Sequence, residues 1–236
     1  PGPDFATEVR PGTNLYTNSI LVLQAKTGIY HTHYSLVPAD FHDWDLAAAP
    51  VLVTTKAGRR IVAGAPKDGL LHIFDRTTDQ KLFATPVTTR ENEDVPLSTT
   101  PTRFCPGITG GTQWNGPAYS PDTNLFYDGA VDWCSTVTLD PAELANKKPG
   151  QAWTGAELVA QFGKKDLNWA GWVTAVDADS GQVKWRFKAP APVVSGITPT
   201  KGGLVFAADM EKHAYAFDAA TGKILWGIKR PTRHVH

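Results

Sequence analysis

The stretch "PADFHDWDLAAAP", residues 38–50, crowds Asp40, His42, Asp43 and Asp45 into six positions and then turns apolar. Carboxylates this close repel one another and need either water around a turn or a cation among them. Residue chemistry alone favours a solvated turn ahead of the strand-like "APVLV", with a cation-holding site as the other assignment. Lys67 in "APKDG" is likewise either a solvated hairpin lysine or a cation facing a ligand. The glycine-rich "GITGGT" matches a phosphate loop only loosely, lacking the Gly-Lys-Ser/Thr ending and a following helix. Cys105 and Cys134 fall in no metal or haem spacing. They are either two buried thiols or one disulfide closing a loop of about 30 residues.

The elements that must position these groups are strands. Short alternating apolar runs are punctuated by Gly, Pro, Asn and Asp, and no long stretch has helical period with good caps. This all-β pattern predicts strands over 18–24, 50–55, 60–65, 70–75, 116–120, 124–130, 171–176, 183–188, 203–208, 213–218 and 224–228. A repeat organises them. "VTAVDADSGQVKWRF" (173–187) and "AYAFDAATGKILWGI" (214–228) match position for position, and "LHIFDRTTDQKLFAT" (71–85) and "ILVLQAKTGIYHTHY" (20–34) are degenerate copies. The unit reads as a hairpin: an Asp caps the turn, a Gly supplies positive φ, and a large aromatic eight residues after the Asp faces a neighbouring sheet, with Phe83 at the tryptophan position of 71–85 and Gln24 at the aspartate position of 20–34. The copies are spaced at 24, 75, 177 and 218, so the middle gap is expected to hide one further degenerate unit. Such periods indicate a β-propeller, of which about four to five blades fit in this chain as a single domain, 1–236, of a larger ring. His31 and His33 share a strand face, but the repeat makes that strand an outer one, which argues against a metal site.

Lys plus Arg and Asp plus Glu both number 23, so no net field points to nucleic acid or an anionic membrane. With 42% hydrophobic residues the chain can build a sizeable core, yet no apolar run reaches the roughly 18 residues of a transmembrane segment. The opening "PGPDF" has neither initiator Met nor signal peptide, and the closing "RPTRHVH", with His234 and His236, has no capping element. Both ends read as those of a processed, excised or incomplete chain.

The Asp-x-x-Ser/Thr-Gly-x-x-x-Trp repeat, with "PGPDF", "HDWD", "APKDGLLHIFDR", "GGTQWNGPAYSP" and "KGGLVFAAD", resembles the quinoprotein dehydrogenases that use pyrroloquinoline quinone (PQQ), especially the methanol/ethanol type. The likeness runs from Pro1 to about Arg230 and covers about the C-terminal half of an eight-bladed propeller. It implies PQQ and Ca²⁺ as cofactors, with the pair Trp44-Asp45 aligned to the family's tryptophan and catalytic aspartate. Asp45 is then the base and a metal ligand. Because the motif is one residue shorter here, Asp43 is a second candidate. The lanthanide-using members carry a further Asp two positions after the base, where this chain has Ala47 if Asp45 is the base, or Asp45 if Asp43 is. The resemblance also sets Lys67 against the ortho-quinone oxygens and Gln113, Trp114 and Asn115 in a loop touching the cofactor. It pairs Cys105 with Cys134 in a disulfide, and it implies a periplasmic site, an alcohol substrate and a separate cytochrome c-type electron acceptor. Upstream ligands lie outside the chain, so the fragment alone is expected to be inactive. Propeller repeats alone also admit a non-catalytic binding scaffold or a PQQ-dependent sugar dehydrogenase.

Overall fold

A computed structural model describes residues 5–146, 148, 150, 154–157 and 169–229. The first hairpin pairs β1 (Ser19–Leu23) with β2 (Tyr30–Ser35). Next comes a four-stranded antiparallel sheet in sequence order: β3 (Val51–Thr54), β4 (Arg60–Gly64), β5 (Leu70–Asp75) and β6 (Lys81–Pro86). The chain then adds β7 (Thr102–Phe104), β8 (Ala118–Ser120), β9 (Leu125–Asp132), β10 (Ser135–Leu139), the short helix α1 (Pro141–Ala145), β11 (Ala156–Glu157), β12 (Ala170–Asp177) and β13 (Val183–Ala189). Of these, β8, β9, β12 and β13 form the second four-stranded sheet, and β7, β10 and β11 form a separate three-stranded one. The third four-stranded sheet is β14 (Thr198–Pro199), β15 (Leu204–Ala208), β16 (His213–Asp218) and β17 (Ile224–Lys229).

This is a partial propeller with three complete blades and the hairpin of another. The first strands β3, β8 and β14 touch from blade to blade and mark the inner rim. Among the described residues, the 75–177 gap holds no further capped hairpin of the repeat. The gap holds the first strands of the second complete blade and the β7/β10/β11 excursion, of which β7 precedes the blade and β10 and β11 are inserted between its neighbouring strands β9 and β12. An insertion inside a blade lengthens the spacing between hairpins without adding one.

The repeat makes the turns expected of it. Asp177 Oδ1 accepts from the Asp179 and Ser180 amides and the Ser180 hydroxyl, and Asp218 does the same with Ala220 and Thr221. The aromatic then locks the next blade: the Trp185 indole donates to the Ala219 carbonyl at 3.0 Å and covers Gly222, where a Cβ would stand 2.5 Å from a ring carbon. Phe83 covers Gly181 in the same way, while the Tyr34 hydroxyl donates to Asp79 across the first interface. Trp226 covers no such turn among the described residues and is 52% exposed. The core lies mainly between blades, with Tyr127, Val173, Trp185, Val205 and Phe217 forming one such cluster. Among the described residues, no helix is long and apolar enough to cross a membrane.

Candidate functional site

The capping hairpins lie at one end of the blades, so the β4–β5 loop and the segments leading into each blade gather at the other end. There the 36–50 loop is organised by Asp40. Its buried carboxylate accepts from the His42 and Trp44 amides, both at 2.9 Å, which makes it a backbone organiser with no lone pairs turned to solvent. Asp43 adopts φ +64°, a conformation Asp tolerates better than most residues. His42 stacks on Trp44 at 3.9 Å with Phe104 edge-on, and the Trp44 indole donates to the Pro106 carbonyl at 3.1 Å. Burial, with the Arg90 charge adding to it, lowers the His42 pKa to about 3, so the imidazole is neutral. A Cys105–Cys134 disulfide joins the strand before Pro106 to the end of β9 and ties down the floor under Trp44.

This arrangement turns Asp43 and Asp45 outward from the loop toward one cation. Lys67, only 7% exposed, places Nζ 2.9 Å from Asp43 Oδ2 and 3.0 Å from Asp45 Oδ2, and its amide donates to the Asp45 carbonyl. Burial alone would lower the lysine pKa, but the bonds and charges of both acids outweigh it and raise it. Burial likewise works to raise Asp45, while its bond to the Lys67 ammonium and the charge behind it bring the carboxyl below its usual range. Asp43 and Asp45 thus bring two carboxylates to one ammonium. Ca²⁺ takes six to eight oxygens. Asp43 and Asp45 fit as one side of such a site, and no cluster of three His, Cys, Asp or Glu exists among the described residues to complete it.

The 109–115 loop packs on the Lys67 backbone. Gly111, at φ +69°, approaches so closely that a Cβ there would stand 2.1 Å from the Lys67 carbonyl oxygen, and the Thr112 amide donates to Pro66 O at 3.4 Å. Gln113 spends its side-chain amide on the Thr109 and Gly110 carbonyls, and Asn115 donates to Gly129 O. These two residues shape the loop. Trp114 is presented to solvent, 69% exposed, instead of packing between blades. It borders a cleft of about 380 Å³ with Gln113, Trp133, Val194 and Met210 among its walls. His31 and His33 lie on β2, outside this end, with His33 Nδ1 2.7 Å from the Tyr30 hydroxyl. His234 and His236 lie outside the described residues. Sequence reasoning missed Asp128, a fully buried carboxyl beneath the loop; the one hint was an acid inside the apolar run "LFYDGAV".

Comparison with known proteins places this end of the chain in context. A family profile described as the glucose/ethanol/alcohol dehydrogenase β-propeller domain matches residues 1–96, and one described as outer membrane protein assembly factor BamB matches 170–235. Quinoprotein alcohol dehydrogenase PedH of Pseudomonas putida is 30% identical over 96% of this chain and 41% of its own length. Methanol dehydrogenase (cytochrome c) subunit 1 of Paracoccus denitrificans is 28% identical over 95% and 39%. Among solved structures, quinohemoprotein alcohol dehydrogenase from Comamonas testosteroni superposes with a TM-score of 0.78 at 25% identity, covering 95% of this chain and 37% of that one. A europium-containing methanol dehydrogenase gives 0.76 at 26%, covering 94% and 41%. The chain thus spans about two-fifths of the length of the relatives it matches.

Proposed function

We propose that this chain, a propeller segment similar over nearly its whole length to the quinoprotein alcohol dehydrogenases, supplies the base and the quinone-facing cation of a PQQ- and calcium-dependent enzyme oxidising primary alcohols or related hydroxyl compounds. The observation that carries the reading is the buried Lys67 ammonium held between Asp43 and Asp45 at the end of the blades that also presents Trp114. When bound, PQQ supplies the hydride acceptor and Ca²⁺ the Lewis acid. Asp45 takes the hydroxyl proton, a role for which its depressed pKa keeps it ionised and its partial exposure keeps it reachable. Lys67 holds positive charge where negative charge accumulates on the acceptor, and because both acids fix its position it needs no reorganisation. Asp43, equally close to Lys67, stays the alternative base.

Calcium is the metal of this reading because Ala47 offers no added carboxylate two positions beyond Asp45. A cytochrome c-type protein is the proposed acceptor of the electrons and the periplasm the proposed compartment, in keeping with the disulfide. A second reading, a non-catalytic scaffold, is favoured by the assembly-factor profile over 170–235, but it gives Lys67 and its two acids no task.

The test is dye-linked alcohol oxidation by the full-length parent reconstituted with PQQ and Ca²⁺, beside Asp45→Asn and Asp43→Asn. Turnover that needs both additions and drops about 10²–10⁴-fold in Asp45→Asn, with PQQ still bound, supports the assignment. The same loss confined to Asp43→Asn moves the base to Asp43. No bound PQQ and no turnover in any protein would leave the scaffold.

A further inference from the structure

Asp128 sits in β9, a strand whose eight residues are all buried, and its own exposure is zero. Its carboxyl oxygens lie 3.1 and 2.9 Å from the Thr112 hydroxyl, and among the described residues its other bond is from the Gly129 amide. A hydroxyl has one proton and cannot satisfy both oxygens. Thr174, directly opposite on β12, gives its own hydroxyl to the Val87 carbonyl and offers no help. No Lys, Arg or His among the described residues pairs with Asp128. Asp132 on the same strand is taken by the Trp172 indole and Lys188. In the β4–β5 loop, Lys67 is taken by Asp43 and Asp45 and Asp68 by His72. The 109–115 loop has no charged residue.

An acid buried on such terms costs stability that Asn or Leu would not, so core packing does not account for it. Its one side-chain partner does. Thr112 follows Gly111, which is wedged on the Lys67 backbone, and its amide reaches Pro66, while Gly111 exchanges backbone bonds with Val131 at 3.0 and 2.9 Å. Lys67 in turn holds the Asp45 carbonyl through its amide. A continuous run of contacts therefore joins Asp128, Thr112, Pro66–Lys67 and Asp45.

We propose that Asp128 is a positioning residue, acting through Thr112 to hold residues 111–113, and with them Lys67, in register against Asp45. The ionised carboxylate only accepts, so it demands the Thr112 proton and fixes that hydroxyl; the neutral acid can donate as well as accept and no longer fixes its direction. Burial, only partly offset by the Thr112 and Gly129 bonds, pushes Asp128 up to about 7, so the change falls near neutral pH.

The inference rests on the quinoprotein reading for its consequence at Lys67, and the test separates the two. In the full-length parent, PQQ affinity is followed by tryptophan fluorescence quenching between pH 5.5 and 8.5 for wild type, Asp128→Asn, Thr112→Ser and Thr112→Val. Hydrogen exchange of the 109–115 segment is measured on the same proteins without PQQ. The expected result is an affinity that falls about tenfold as pH drops through about 7 in wild type and Thr112→Ser, a flat profile in Asp128→Asn, and a pH-independent loss of about tenfold in Thr112→Val. Exchange of the segment should quicken in Asp128→Asn and Thr112→Val. If PQQ fails to bind even wild type but exchange quickens as described, the positioning role stands and the quinoprotein reading falls. Unchanged exchange, or a wild-type pH profile in Asp128→Asn, overturns the proposal, and should Asp128→Asn not fold, the contrast between Thr112→Ser and Thr112→Val decides it alone.

Discussion

His42 stands one residue from Asp43 and meets aromatic rings on three sides. Its Nε2 is buried with no hydrogen-bond partner among the described residues. In the unfolded chain it takes up a proton near pH 6.5, while in the folded one it resists until about 3. The unfolded state binds more protons across that window, so stability is full above about 6.5 and is lost as pH falls toward 3, by roughly 3–5 kcal/mol. Urea unfolding of the parent at pH 7, 5 and 4 should show this slope, and His42→Phe, which keeps the stack and removes the titration, should flatten it; equal slopes would refute the assignment. Asp45 works in a lower window, its contribution lost only as pH falls through its depressed value, and that of Lys67 is lost only as pH climbs past its raised one. Lys67→Met removes the ammonium that both acids share. We expect about 1–3 kcal/mol of destabilisation, discounted for the exposure of both carboxylates, and loss of any PQQ binding by the parent, read by absorbance of the bound cofactor. Asp43, Asp45 and Lys67 could each be singled out because they sit in short recognisable motifs, but the ion pairs that join them could not. Asp128 and the buried, neutral state of His42 could not be read either, since both depend on what surrounds them after folding.

The hairpins were the most legible elements, because an Asp cap, a positive-φ Gly and a docking aromatic each leave a residue type at a fixed offset. The β7/β10/β11 excursion was not, since its strands carry no repeat and β10 pairs with β7 across more than 30 residues. Turn and docking can be separated by experiment. Gly28 and Gly222 share φ +72°, but a Cβ at Gly28 meets nothing within 4 Å and one at Gly222 meets the Trp185 ring. Gly28→Ala should therefore cost about 1–2 kcal/mol of left-handed strain, and Gly222→Ala about 1–3 kcal/mol more, by denaturant midpoints. Reducing the Cys105–Cys134 bond should destabilise the excursion's anchor by roughly 3–4 kcal/mol in the chain-entropy model, measured as the change in midpoint with and without reductant.

At the scale of the whole molecule, three blades stack through narrow locks and the fourth face is left uncovered. Every residue of β17 is exposed, with Ile224, Leu225, Trp226 and Ile228 together on it. Such a patch favours association. Residues 1–236 expressed alone should self-associate, with Trp226→Glu reducing it; a monomer at high concentration by sedimentation would contradict this. The locks themselves are unequal: an indole covers Gly222, a single benzene ring covers Gly181, and a phenol hydroxyl bonds Asp79. Each gap thus admits one size of plug. Neighbour identity around the ring is written in the dimensions of those plugs, so blades of nearly the same backbone are not interchangeable modules, and a recombination that moved one would misaddress two seams at once.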